Sequence, residues 1–410
     1  MNPPPVHITM DQFPIIDNEL HVGGLGVRQL AERAGQTPYF AYDRSVIAER
    51  IQQLRDALPG DIQLHYAIKA NPMPELVHYM ANLVDGFDVA SAGELRLAQT
   101  TSMSQDNISF AGPGKTDAEL HAAIEAGIVI NMESEGEMRR IAAIAAARGV
   151  TPKVAIRINP DFELKSSGMK MGGGPKQFGV DAERVPDMLQ EFASLPLEFL
   201  GFHIFSGSQN LKEDAIIKAH EMTFELALRM NEHVPSPIKL LNIGGGLGIP
   251  YFPGDKRLDL MPIGDNLARL LPGVKKVLDK AEIVLELGRY LVGEAGIYVC
   301  KVIDKKISRG VTFLITDGGM HHHLAASGNL GQVIRKNYPV TIGNRVSSTE
   351  TEKVTVVGPL CTPLDLLADK MPLAKADIGD LVVIFQSGAY GYSASPKGFL
   401  SRPSAVELLV

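Results

Sequence analysis

Residues 64–99 read LHYAIKANPMPELVHYMANLVDGFDVASAGELRLAQ, and two kinds of segment alternate within them. LHYAIK and GFDVAS are short β-branched or aromatic runs, whereas PELVHYMANLV and AGELRLAQT carry apolar residues at helical spacing. Working outward, six further strand-like runs follow: ISFAGP, IVINM, KVAIRINP, LGFHIFSG, LLNIGGG and IVLELG. Helical segments such as DAELHAAIEAG and SEGEMRRIAAIAAARG lie between them. The first strands begin about 20 residues apart and the later ones about 40, room for a crossover helix each time, so a parallel sheet is expected. Eight such units match the count, and the roughly 250-residue size, of a (β/α)8 barrel. A doubly wound open sheet is the alternative that counting leaves open. Past residue 290 the texture changes. AGIYVCKVIDKKI, VTFLITDGG, EKVTVVGPL and DLVVIFQSGAY are strand-like with little helical period, which predicts a second, all-β domain.

The chain has 410 residues, 45% of them hydrophobic and 21% charged, enough to bury one large domain or two ordinary ones. A net charge of −7 without any block of Lys and Arg excludes the electrostatic footprint of a nucleic-acid or anionic-membrane binder. No apolar stretch reaches the roughly 18 residues of a spanning helix. The start MNPPPVHITMDQF has neither a basic nor an apolar leader region, so a cytoplasmic location is expected. Cys300 and Cys361 are the only cysteines, too few for a disulfide framework, so any importance they have is chemical.

In a barrel, functional groups sit at the C-terminal ends of the strands. Lys69 ends the first strand-like run, His203 the sixth, the glycines of NIGGGLG follow the seventh, and Glu286 and Arg289 follow the eighth. Each alone has an ordinary reading: a solvated lysine, a packed histidine, a tight strand-to-helix turn. Together on one rim they are the parts that hold pyridoxal 5'-phosphate (PLP). The lysine bonds to the aldehyde, which requires a neutral amine that partial desolvation favours. Bare backbone amides of the glycine loop take the phosphate. A carboxylate, Glu286, keeps the pyridine nitrogen protonated, and His203 stacks on the ring.

YAIKANP, FDVASAGEL, HIFSGS, NIGGGLG, ELGRYLV, GPLCTPLD and SGAYGYS, in this order, resemble the fold type III PLP-dependent decarboxylases. That group comprises the ornithine and diaminopimelate decarboxylases, related to alanine racemase. The resemblance runs from about residue 37 to 403. It implies a TIM-like α/β barrel over residues 37–285. It also implies a β-sandwich or β-barrel domain from residues 1–36 and 286–410 that contributes to a dimer and a shared active site. Carried over, Lys69 holds PLP, Asp88 contacts it, and His203 stacks on it. Ser206, Gly245, Gly246, Gly288 and Arg289 bind the phosphate, Glu286 faces the pyridine nitrogen, and Tyr390 reaches phosphate or substrate. Glu-Leu-Gly-Arg stands here where the family usually has Glu-Pro-Gly-Arg. Cys361, Thr362 and Asp365 would complete the partner's substrate site, with Cys361 protonating Cα after CO2 leaves, so a monomer should be inactive.

MKMGGGPKQFG (Met169 to Gly179), DGGMHHH (Asp317 to His323) and GPLCTPLD are similar to the decarboxylase of butirosin biosynthesis, which acts on glutamate carried by an acyl carrier protein. They also resemble the pyridoxal-dependent decarboxylases of exosortase systems. Diaminopimelate decarboxylases bind the distal end of their substrate with an arginine and a tyrosine after a DGGM-like segment and a glutamate after the cysteine. Here those places read HHHLAASGN and Thr362. A carrier-linked amino acid is therefore expected, with a lid over residues 169–179 carrying Lys170 and Lys176. Free diaminopimelate or another basic amino acid is the alternative, and a racemase of the same fold a further one. A Schiff-base aldolase has no need of Glu286 as a cofactor partner, and a PLP carrier has no need of GPLCTPLD. His321, His322 and His323 cannot all face one ion from an extended strand, so no metal is expected.

Overall fold

The computed structural model describes residues 5–163 and 169–410. The chain packs as two units, Ile51–Ile249 with Arg257–Gly288, and Met1–Arg50 with Pro250–Lys256 and Arg289–Val410.

In the first of these, eight parallel strands alternate with helices: β1 (Ile62–Ala67), α1 (Pro74–Met80), β2 (Gly86–Val89), α2 (Ala92–Gln99), β3 (Ile108–Phe110), α3 (Asp117–Ala126), β4 (Val129–Met132), α4 (Glu135–Arg148), β5 (Lys153–Asn159), α5 (Val185–Phe192), β6 (Glu198–Ile204), α6 (Glu213–Met230), β7 (Leu240–Gly245), α7 (Met261–Lys275) and β8 (Glu282–Leu287). Each strand pairs in parallel with the next, and β8 pairs with β1, so the sheet closes into the expected barrel. Local chemistry starts and stops the helices. Ser91 and Ser134 accept the Glu94 and Glu137 amides, Thr116 and Glu119 form a capping box, and left-handed Gly127 and Gly149 end α3 and α4. Along the strands, Leu64, Tyr66, Leu241 and Ile243 alternate with His65 and Asn242, and all are buried. The polar set lines a small internal cavity with Gln63, Ser109 and Asn131, beside apolar Val129, Leu240 and Val284.

The other unit is a mixed β structure. Its main sheet runs in the order Val340–Ile342, Leu381–Ile384, Gly296–Ser308, Val311–Thr316, Thr351–Val357 and Leu366–Ala374. Tyr39–Tyr42 lies within the 37–285 span expected for the barrel. It pairs instead with Gly296–Val299 on one side and Val406–Leu409 on the other. Its core gathers Phe13, Leu20, Val22, Leu30, Tyr39, Ile297, Val299, Val383 and Phe385, so the N-terminal segment belongs to this hydrophobic cluster.

Candidate active site

Strand register gathers the barrel residues. Gly245 pairs with Glu286, Glu286 with His65, and Ala67 with Asp88, which puts Glu286 and Asp88 near one level at the C-terminal end of the barrel. Lys69 is not in the strand, as the sequence suggested. It lies in a single 3-10 turn, Ile68–Ala70, that begins directly after β1 and is closed by the Asn71 amide on the Ile68 carbonyl at 3.0 Å. The turn carries the side chain back over the barrel, where Lys69 Nζ lies 3.1 Å from Glu286 Oε1. Lys69 is 41% exposed, whereas Glu286 is 3% exposed. His203 Nε2 lies 3.2 Å from Glu286 Oε2, and Asn242 Nδ2 donates to the same oxygen at 3.4 Å.

Burial opposes ionisation of Glu286, but Lys69 and His203 outweigh it and hold its carboxyl well below the ordinary range. Burial pushes Asp88 well above that range, reinforced by the Glu286 charge, so the two carboxyls are shifted in opposite directions. Burial lowers His203 and keeps its ring neutral, a state suited to stacking. Both Asp88 oxygens and both His203 nitrogens are buried without an aligned hydrogen bond among the described residues. Buried polar groups with so few well-aligned partners are costly unless a ligand completes them.

The glycine loop belongs partly to the strand, since β7 ends at Gly245 rather than before the glycines. Its pairing with β8 shifts between Asn242 and Gly245, and Gly244 and Gly246 have φ of 72° and 83°, the left-handed region open to glycine. A Cβ at Gly245 would lie 2.0 Å from the Glu286 carbonyl, and one at Gly246 2.3 Å from that of Gly207. The Gly244–Gly246 backbone thus lies close against the Ser206–Gly207 loop, leaving a cradle that a Cβ would fill. The carboxylate, the half-exposed lysine, the buried imidazole and this cradle fit PLP.

In the other unit, Arg289 Nη1 donates to the Tyr251 hydroxyl at 2.7 Å, and its guanidinium lies 4.7 Å from the centre of the Tyr390 ring. Tyr338 packs on Tyr251 with ring centres 4.7 Å apart. Tyr390 has a φ of 53°, an uncommon backbone state for a bulky residue. Cys361 is exposed, Thr362 half-buried, and Asp365 buried. His321 to His323 lie in a turn, not a strand. His322 meets the Tyr298 hydroxyl and the Pro403 carbonyl, and His323 meets Ser387 Oγ. Lys176 is half-buried, and the Lys170 side chain lies outside the described residues.

Sequence reasoning missed Tyr251, Asn242 and a buried ionic group on the rim. There Glu133 accepts from Arg157 at 2.8 Å and from the Gly112 and Gly179 amides, while Lys115 pairs with Glu137 at 2.8 Å. The available signal was a lone polar residue inside an apolar strand run, as in LLNIGGG and KVAIRINP.

Such a barrel, with a lysine facing a buried carboxylate beside a glycine cradle, defines a class of PLP-dependent enzyme. Comparison with known proteins narrows it. Residues 44–293 match the family model "Pyridoxal-dependent decarboxylase, pyridoxal binding domain". The chain is 39% identical over 380 residues to the L-glutamyl-[BtrI acyl-carrier protein] decarboxylase of Niallia circulans, covering 91% of this chain and 89% of that protein. It is 35% identical over 399 residues to the diaminopimelate decarboxylase of Aquifex aeolicus, covering 96% and 91%. The structure of diaminopimelate decarboxylase from M. jannaschii with L-lysine superposes with a TM-score of 0.88 at 26% identity, covering 97% of this chain and 92% of that one. The chain belongs to the fold type III PLP-dependent decarboxylases, the ornithine and diaminopimelate decarboxylase family, and is an amino-acid decarboxylase that uses PLP. Among the described residues no helix is long and apolar enough to cross a membrane, and no group of three or more His, Cys, Asp or Glu could hold a metal ion.

Proposed function

We propose that the substrate is an amino acid whose distal carboxyl is masked, as in a glutamyl thioester on an acyl carrier protein. The observation carrying this reading is the absence of charge at the positions where the family resemblance puts the distal-end contacts. His321, His322 and His323 are 0%, 1% and 0% exposed. Burial lowers all three, His321 to about 4 and His323 to about 3, so they are neutral at pH 7. Thr362 carries no charge, and Arg335, further along the same segment, is committed to the Ser327 and Leu366 carbonyls and Asn337 Oδ1. A free charged end buried against these neutral groups would find no charge partner in them, which is costly. A thioester removes that charge, and the name of the Niallia circulans relative supports the same reading.

In this reading Lys69 binds the cofactor covalently, His203 covers one face of its ring, Asp88 contacts it, and Glu286 keeps the pyridine nitrogen protonated. The backbone of Ser206, Gly245 and Gly246 would hold the phosphate. Gly288, Arg289 and Tyr390 are the further phosphate-directed groups that the resemblance assigns. When bound, PLP supplies an electron sink for the carbanion left at Cα as CO2 departs. Cys361, exposed on its own chain, donates the proton to Cα in a second copy's site, with Thr362 beside it at the substrate. This makes the active form a homodimer. The test is CO2 release from free diaminopimelate, ornithine, lysine, arginine and glutamate beside glutamyl and related carrier thioesters. Turnover confined to the thioesters is expected. Efficient turnover of free meso-diaminopimelate with inert thioesters would replace this reading with the diaminopimelate one.

A further inference from the structure

We infer that Asp365 is a positioning residue that sets the loop presenting Cys361, and that it makes no contact with substrate. The inference rests on the proposed role of Cys361. Asp365 is 2% exposed, and both of its oxygens are engaged: Oδ1 accepts the Met320 amide at 2.6 Å and Oδ2 the Leu360 amide at 2.8 Å. Leu360 immediately precedes the cysteine. The backbone of Asp365 closes the same loop, since its carbonyl accepts the Gly358 amide at 3.0 Å and its amide donates to the Thr362 carbonyl at 3.3 Å. Further along, Asn329 Nδ2 donates to the Leu364 carbonyl and Arg402 to that of Pro359. Cys361 therefore stands exposed on a turn tied at both ends.

The same carboxylate explains two glycines of the motifs DGGM and GPLC. A Cβ at Gly319 would lie 2.2 Å from Asp365 Oδ1, and one at Gly358 would lie 2.3 Å from Oδ2. Neither glycine is required by a left-handed φ, so the close approach of the carboxylate is the reason for their small size. Asp365 is short and held by two amides, so it cannot swing aside without losing both bonds. Two stretches 40 residues apart in the chain, Gly319–Met320 and Gly358–Leu360, thus meet on one side chain.

The test uses the PLP-loaded enzyme with Asp365→Asn, Asp365→Ala and Gly358→Ala. Asp365→Ala is expected to lower kcat about 100-fold with KM changed less than about threefold, the size of effect that a misplacement near 1 Å produces. Asp365→Asn keeps one acceptor and falls between. Gly358→Ala attacks the carboxylate from the other side and should lower kcat likewise. Its combination with Asp365→Ala should be clearly less than additive, because the two act on one contact. Cys300 is fully buried and its thiol is pushed up by burial, so iodoacetamide reads Cys361, whose alkylation rate should change in all three variants. A rise in KM alone would make Asp365 a substrate contact and overturn the inference. Should Asp365→Ala fail to fold, Asp365→Asn and Gly358→Ala decide, and wild-type kcat and alkylation in both overturn it. A Cys361→Ala enzyme of unchanged kcat would remove the role of the cysteine itself; alkylation then decides alone, and a rate within about twofold of wild type in the variants overturns positioning.

Discussion

At the scale of single residues, the site is organised around one buried charge. Glu286 is held toward its ionised form inside the barrel because an ammonium and an imidazole lie within 3.2 Å of it, while burial, reinforced by the Glu286 charge, pushes Asp88 the other way. Lys69→Ala should abolish the imine absorbance band and all turnover, since its proposed role is covalent, with the far-UV circular dichroism unchanged. Normal absorbance in that variant would move the attachment point elsewhere. Glu286→Gln keeps the shape and removes the charge. A loss of about 10²–10⁴ in kcat, the range for a misplaced proton-holding group, is expected with the cofactor still bound.

At the scale of elements, a strand ending in glycines does what neither a regular strand nor a regular turn does. The shifted β7–β8 pairing turns the backbone outward at Gly244, and Gly245 then approaches the β8 carbonyl too closely for any side chain. Gly245→Ala should therefore separate β7 from β8 where Glu286 sits. Overpacking of this kind costs about 1–3 kcal/mol. The expected result is a lower melting temperature together with a raised dissociation constant for PLP. If pyridoxal, which lacks the phosphate, were weakened as strongly as PLP, the cradle would not be the phosphate site. The motif NIGGGLG was legible as a glycine turn after the seventh strand, where a phosphate loop is proposed. The division of its glycines between strand and loop was not, because it depends on the register with a strand about 40 residues away.

At the scale of the whole molecule, protonation and assembly set the behaviour. Burial lowers His65 and His220 to about 4, and both are neutral in the folded chain. Unfolded histidine titrates near 6.5. Between those values the unfolded chain binds more protons, so this stability is fully present above pH 6.5 and is lost as pH falls toward 4. At pH 5 each group contributes a loss of about 2 kcal/mol, and urea unfolding followed from pH 7 to pH 5 should show it. Flat stability over that window would mean that neither ring is held neutral by the fold. The proposed shared site gives a second expectation: mixing inactive Lys69→Ala with nearly inactive Cys361→Ala should restore up to about a quarter of wild-type activity through mixed dimers. No recovery from mixtures shown to exchange subunits would place Cys361 in its own chain's site.

The sequence by itself determined the barrel and the all-β unit, and it named the residues proposed to hold the cofactor. Strand and helix periods are local, and the functional groups of a barrel fall at strand ends wherever those ends are read. The tertiary structure alone decided which distant segments meet. Tyr251 is linked to Arg289 across 38 residues and Asp365 to Met320 across 45, and Tyr39–Tyr42 joins strands that begin more than 250 residues later. Such pairings leave no periodic trace, because a hydrogen bond or a close approach between distant segments depends on where the folded backbone brings them and not on the residues beside them in the chain.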